Sequence, residues 1–338
     1  MIHGMGRDQQ IPFVPGGALD DAPFGGAGRR GLPLEFAELL PLVADPAVTD
    51  VFASSEGVWA DDGSALRKHA LKLGERRVRE LAVELVGAGG RHIDEASPCV
   101  DVRLGEGVRV HAVLSPVAVG GTQLSIRLPS GMRPSLAELE RLGAFRAVPL
   151  QRIRSLVERR VNTLIVGAGG SGKTTLLAAM LGEVPPDERI VTIEDVAELR
   201  IEHPHVVALE SRQANVEGAG EISLSRLVRE SLRMRPDRLV LGECRGPEVR
   251  DLLMALNTGH DGGAGTLHAN SLADVASRLE ALGALAGLSQ EAMGRQVASA
   301  IGAVVHVERV AGRRGVAAIG EVVMRGGHLE IVEAAEHA

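Results

Sequence analysis

Apolar positions follow two different rhythms along this chain, one before about residue 130 and one after it. In the first part, Leu34 to Leu40 reads as helical and Val48 to Val58 as short strand-like pieces ending near Trp59. Between Glu75 and Val86, the apolar residues Val78, Leu81, Ala82, Leu85 and Val86 recur at the spacing of an amphipathic helix. Three segments then alternate with a period of two: Cys99 to Arg103, Val108 to Val113, and Thr122 to Leu128. That period predicts a half-buried antiparallel sheet and makes the first part α+β. In the second part the apolar residues come instead in continuous runs, at Thr163–Val166, Arg189–Ile193, Val206–Leu209, Leu239–Leu241 and Ala264–Leu267, with helical stretches between most of them. Such runs predict an α/β unit whose parallel sheet is covered on both faces. Val304–Val307, Gly315–Val323 and Leu329–Val332 read as closing strands.

Punctuation residues divide these patterns. Residues 1–31 are rich in Gly, Pro and Asp and read as a flexible tail. Pro129-Ser130-Gly131-Met132-Arg133-Pro134 holds two prolines and a glycine and reads as a linker. Ser135 and Glu138 then have capping-box spacing at the start of a helix. The expected organisation is therefore a tail at 1–31, an α+β domain at 32–128, a linker at 129–134 and the α/β domain at 135–338.

Composition narrows the partners. A chain of 338 residues has apolar content for two cores, and its net charge of −7 gives no basic field, so no direct nucleic-acid partner is expected. Tyrosine is absent, which removes the usual base-stacking platforms. Cys99 and Cys244 cannot supply a four-cysteine zinc site, and they imply no disulfide framework. The start, Met1 to Asp8, has no apolar segment of a secretory signal, and no run nears the roughly 20 apolar residues of a membrane span. A cytoplasmic protein is expected.

The chemistry concentrates at Gly167-Ala168-Gly169-Gly170-Ser171-Gly172-Lys173-Thr174-Thr175, set between an apolar strand and a helix-forming run. This is the G-x-x-x-x-G-K-[ST] pattern in the context it needs. Glycines let backbone N–H groups converge on phosphate oxygens, and the following helix offers its positive end to the anion. Lys173 is expected to reach β- and γ-phosphates and Thr174 to ligate Mg²⁺, so ATP and Mg²⁺ are the expected ligands. Only three of the 37 basic residues are lysine, so a lysine in this loop is a selective choice. The acids Glu194 and Asp195 end one apolar strand and Glu243 ends another, on the side of an open parallel sheet where ligands lie. His260 and His268 flank a glycine-rich segment, suited to a loop that approaches a ligand.

Four boxes in order, GAGGSGKTT, TIEDVAEL, MRPDRLVLGECRG and NTGHDGGAGTLHANS, resemble the Walker A, Asp, Walker B and His boxes of the type II/type IV secretion ATPase superfamily. With IDEASPCVDVRLGEGVRVHAVLSP and SIRLPSG upstream, the likeness runs from about residue 34 to 325 and is nearest to the tight-adherence (Tad, Flp-pilus) branch. The resemblance implies a RecA-like P-loop ATPase core behind a smaller α+β N-terminal domain, working as a homohexameric ring. It implies a motor for pilus assembly or protein secretion acting on inner-membrane platform proteins, or, as the alternative, a conjugation-type ATPase powering DNA or protein export. By position, Glu194 and Glu243 would share water activation and metal positioning, with the base left open between them. His268 would contact the γ-phosphate, and Arg127 would reach the nucleotide as the N-terminal domain closes. Arg103, Arg109, Arg233 and Arg245 are further candidates for charges near the phosphates. Cys244 stands where a small aliphatic residue is usual and reads as a buried hydrophobe.

Overall fold

The computed structural model of the chain describes residues 34–63, 65–129, 133–212, 220–310 and 312–335. The expected tail and positions 130–132 of the expected linker lie outside them. The period-two segments pair as their alternation requires. β1 (Asp50–Ser54), β2 (Gly57–Asp61), β3 (Leu66–His69), β4 (Cys99–Leu104), β5 (Val108–Val113) and β6 (Gln123–Arg127) form one antiparallel sheet in the order β3-β2-β1-β6-β5-β4. The helix at Glu75–Ala88 buries Val78, Leu81, Ala82, Leu85 and Val86, the five positions expected from its periodicity, among residues of this sheet. Its Glu75 carboxylate accepts the Thr122 backbone N–H (2.8 Å) and hydroxyl (2.7 Å), pinning the loop that leads into β6. The stretch at Leu34–Leu40 is less regular than its pattern predicts. A 3₁₀ turn, Leu34–Leu39, leaves helical geometry at Ala37 (φ 45°), and a short helix, α1 (Leu40–Val43), starts afresh. Pro41 explains the restart, because proline fits a first turn and not a helix interior. The Glu75–Ala88 helix is α2.

After β6, Ser135 caps α3 (Leu136–Arg141) through the expected capping box with Glu138. Then follow α4 (Leu150–Glu158), β7 (Thr163–Gly167), α5 (Lys173–Leu181), β8 (Ile190–Glu194), β9 (Val206–Glu210), α6 (Leu224–Ser231), β10 (Arg238–Cys244), α7 (Glu248–Leu256), β11 (Ala264–His268), α8 (Leu272–Leu285), α9 (Gln290–Ala300), β12 (Ala303–Val310), β13 (Arg313–Arg325) and β14 (His328–Glu333). The second sheet runs β14-β13-β12-β7-β11-β10-β8-β9. β12 through β9 in that order are all parallel, whereas β13 and β14 are antiparallel additions at one edge. The edge is antiparallel because β12 and β13 are joined by a tight hairpin, and parallel neighbours need a long crossover.

Successive residues of the parallel strands feed opposite layers, as a sheet covered on both faces must. Leu164, Val166, Ile193, Leu239 and Leu241 pack with residues of α6 to α9. Ile165, Ile190, Val240 and Val305 pack with α3, α4 and α5 on the other side. The buried apolar cluster of the first sheet ends at Leu128, and those of the second begin at Leu136. Among the described residues, polar contacts join the two parts. Arg103 pairs with Glu210 and donates to the Ala197 carbonyl (3.2 Å), Arg109 pairs with Glu198 (3.0 Å), and Arg309 donates to the Gly63 carbonyl (2.8 Å).

One buried charge sits under the parallel sheet. Arg238, with its side chain 3% exposed, binds Glu188 (2.5 Å) and the Val157 carbonyl (3.1 Å). Glu188→Ala strands that guanidinium in a dry site, so it is expected to destabilise the chain by about 3–5 kcal/mol. Urea unfolding of parent and variant measures this, and a loss below about 1 kcal/mol would mean that Arg238 finds water instead.

Candidate functional site

β7 delivers the phosphate loop. All five of its residues are buried, and parallel partners on both sides fix it. At its end, a Cβ on Gly167 would stand 2.2 Å from the Val307 carbonyl oxygen and 2.6 Å from Ser171 Oγ, so only glycine lets the chain turn there. Gly172 adopts φ +104° as the residue before α5, where a side chain would be strained. Lys173 opens α5 and is 6% exposed. Its ammonium folds back onto the loop, donating to the Gly167 and Ala168 carbonyls at 2.9 Å each. Burial lowers its pKa, with the Glu243 carboxylate acting in the opposite direction. Ser171 Oγ is buried and, among the described residues, has no hydrogen-bond partner. An unpaired buried hydroxyl, a cationic side chain and the N-terminus of α5 meet in one loop, and that set fits a nucleotide's phosphates with Mg²⁺. Thr174 follows Lys173 and is half-buried at the helix start.

The His box and the Walker B-like strand converge on this loop. His268 Nε2 lies 2.8 Å from Glu243 Oε1 and 3.5 Å from Lys173 Nζ. Burial and the Lys173 charge lower the pKa of His268, while Glu243 raises it. A neutral imidazole that meets a carboxylate through Nε2 must carry its proton there. Beside them, an open cleft of about 420 Å³ is lined by Ala168, Gly169, His268, Asn270, Asp274 and Arg278.

Glu194 and Glu243 are set in opposite environments. Glu243 lies within a register shift in β10, between Leu241 and Cys244, and its side chain is 42% exposed. Glu194 is 5% exposed, and a Cβ on Gly242 would stand 2.6 Å from its Cγ. Its Oε1 accepts the backbone N–H groups of Glu198 and Leu199, both at 3.0 Å, which staples the loop after β8. Burial pushes the Glu194 pKa up to about 7, against those two hydrogen bonds. The folded value lies above the ordinary 4.5, so the folded state holds the proton longer than the unfolded chain does. This contribution to stability is complete below pH 4.5 and disappears as the pH rises to about 7, a loss of about 3 kcal/mol. Glu194→Gln keeps an Oε1 acceptor and cannot ionise. In nucleotide-free protein it is expected to remove that slope and to exceed the parent in stability at pH 8. Denaturant titrations at pH 5, 6, 7 and 8 give the difference, and parallel pH profiles would refute the assignment.

Of the other expected residues, Arg103 and Arg109 meet the loop after β8 at Ala197 and Glu198, and Arg103 also pairs with Glu210 at the end of β9. Arg245 pairs with Asp195, which also accepts the Ser211 hydroxyl (2.8 Å). Arg127 stands exposed at the end of β6, in register with Arg109 on one side and Asp50 on the other. Among the described residues it makes no hydrogen bond or ion pair to the phosphate loop. Arg233 makes an exposed ion pair with Glu230 (3.0 Å), one turn away, which is the ordinary surface role of an arginine. His260 Nδ1 meets the Ala255 carbonyl (3.1 Å) and is satisfied by the backbone. Cys244 is buried, and burial pushes its thiol pKa far up, as for an inert apolar side chain. Two contributors escaped the sequence reading. Glu210 holds Arg103 and the Ala197 N–H (2.9 Å), and Arg314 donates to the Gly170 carbonyl (3.0 Å). The only sequence signal for the second is the run of arginines around the β12–β13 turn.

Comparison with known proteins gives a consistent picture. The family described as type II/IV secretion system protein matches residues 68–315. A putative conjugal transfer protein of Mycobacterium tuberculosis is 49% identical over 303 residues, covering 87% of this chain and 86% of the relative. The type IV secretion system protein VirB11 of Brucella suis is 30% identical over 260 residues, 69% of this chain and 72% of its own. Among solved structures, the ATPase DotB of Legionella pneumophila superposes with a TM-score of 0.59 at 21% identity, over 89% of this chain and 84% of DotB, which is a likeness of fold.

Proposed function

The chain belongs to the type II/IV secretion system protein family, and from that premise we propose that it is an ATP-hydrolysing motor of a conjugation-type export machine. The observation that supports this most is the convergence of Lys173, His268 and Glu243 at the mouth of the phosphate loop, with His268 within 3.5 Å of both partners. Lys173 and the loop N–H groups would hold the β- and γ-phosphates and Thr174 would ligate Mg²⁺, which when bound would supply charge neutralisation on the phosphates. Glu243, open to solvent, accepts a proton from the attacking water, and His268 orients its carboxylate and senses the γ-phosphate. Glu194, buried and holding the Glu198 and Leu199 N–H groups, would act by fixing the loop after β8. Of the two acids that the sequence left open, we assign the base to Glu243, an assignment supported by its exposure and its contact with His268.

The names of the relatives support export over Tad-type pilus assembly, since conjugal transfer and type IV secretion recur among them. We infer a homohexameric ring that acts on inner-membrane platform proteins and associates with the membrane through them. Among the described residues, no helix is long and apolar enough to cross a membrane. The test is a gene replacement carrying Lys173→Ala. Transfer of DNA or protein to a recipient should fall to background. Intact transfer with loss of surface fibres would move the assignment to the pilus branch, and release of phosphate by the purified parent checks hydrolysis itself.

A further inference from the structure

The β12–β13 hairpin touches the phosphate loop at two separate points. The Val307 carbonyl packs against Gly167, and Arg314 reaches the far side of the loop, donating from Nε to the Gly170 carbonyl at 3.0 Å. The Arg314 stem also covers Gly172, its Cδ being 3.4 Å from the place where a side chain there would begin. The hairpin is itself anchored. Val316 donates its backbone N–H to Ala144 (2.8 Å), and Arg309, in register directly opposite Arg314, donates to Gly63 of the N-terminal domain (2.8 Å).

A loop that turns its N–H groups towards an anion turns carbonyls the other way, and those carbonyls need donors of their own. Lys173 serves the Gly167 and Ala168 carbonyls here. To meet both the β- and γ-phosphates, the same ammonium has to give up part of that duty, because two of its three N–H bonds are already engaged. Arg314 has no such conflict, since it does not line the cleft beside the loop and its Nε already meets the Gly170 carbonyl. We propose that Arg314 is a positioning residue of the phosphate loop, holding the Gly170 carbonyl outward so that the loop's N–H groups stay turned to the nucleotide when Lys173 leaves its own loop for the phosphates. This rests on the reading of the chain as an ATP hydrolase and adds to it a residue 141 positions downstream of Lys173.

The experiment uses the full chain with Arg314→Ala and Arg314→Lys, reading KM and kcat for MgATP and the Kd for ADP. A charge-assisted hydrogen bond lost from the bound loop should raise KM and Kd about tenfold in Arg314→Ala, with kcat within about threefold of the parent. Arg314→Lys, whose ammonium can donate to the same carbonyl, should recover most of the affinity. Unchanged KM and Kd in Arg314→Ala would overturn the proposal. So would equal losses in both variants with a lower unfolding midpoint of the nucleotide-free protein, which would show a role in folding alone. Failure of the parent chain itself to bind nucleotide would remove the hydrolase reading and the proposal with it, and is distinguishable because it needs no variant.

Discussion

Glu243→Gln is expected to lower kcat for ATP hydrolysis by roughly 10²–10³-fold while leaving nucleotide affinity within about threefold of the parent. General-base catalysis contributes on that scale, and an amide cannot take the proton of the attacking water. The rest of the site should stay intact. The introduced amide would still offer an oxygen to His268 Nε2, which lies 2.8 Å from Glu243 Oε1 in the parent. Because the side chain is 42% exposed, the change buries no unpaired group and should not disturb folding. Phosphate release under saturating MgATP and titration with a fluorescent ADP analogue separate the two quantities. Hydrolysis at the parental rate would exclude Glu243 as the base. If Glu194→Gln then abolished turnover with folding intact, the buried acid would take its place.

Lys173→Ala should fail at the other step. Removing the ammonium deletes the cation that meets the β- and γ-phosphates, so the Kd for ATP is expected to rise by about 100-fold or more, near 3 kcal/mol. The loop is also left with the Gly167 and Ala168 carbonyls unserved, since Lys173 donates to both at 2.9 Å. Arginine should not rescue it. The side chain is 6% exposed, in a pocket shaped for a compact ammonium, and a planar guanidinium cannot place its charge in the same space. Calorimetric titration with ATP checks both variants. Parental affinity in Lys173→Ala would refute the phosphate-loop assignment, and with it the shared site of Lys173, His268 and Glu243.

What the sequence revealed and what it hid divide along a physical line. The phosphate loop, the α2 face, the capping box at Ser135 and the five parallel strands between β7 and β11 could all be read. Each is encoded by neighbours within a few residues of one another, through period, glycine placement or cap chemistry. The convergence of His268 and Glu243 was expected from the boxes, yet their distance follows from sheet order, since β10 and β11 are adjacent. Long-range charge pairing was hidden. No local pattern says that Arg103 should meet Glu210, or that Arg314 should reach back to Gly170, because both depend on strands brought together by topology. The environment of Glu194 was hidden as well. Nothing local marks an acid at a strand end as buried, whereas the loop after β8 folds over this one and binds it through two N–H groups. The antiparallel edge of the second sheet was legible only as three apolar runs, with nothing in them to set their direction.

The seam between the two parts of the molecule carries a mechanical consequence. Its described contacts are Arg103 with Glu210 and the Ala197 carbonyl, Arg109 with Glu198, and Arg309 with the Gly63 carbonyl, while the buried apolar clusters stay on either side. An oily seam resists opening in proportion to its area, because every square ångström exposed to water costs free energy. Partly exposed charges lose little when they separate, since water takes each partner's place almost evenly. The joint is therefore a soft one, and its stiffness should fall as ionic strength rises. Opening such a joint exposes no apolar seam among the described residues, so the two parts can change their relation at little cost in free energy.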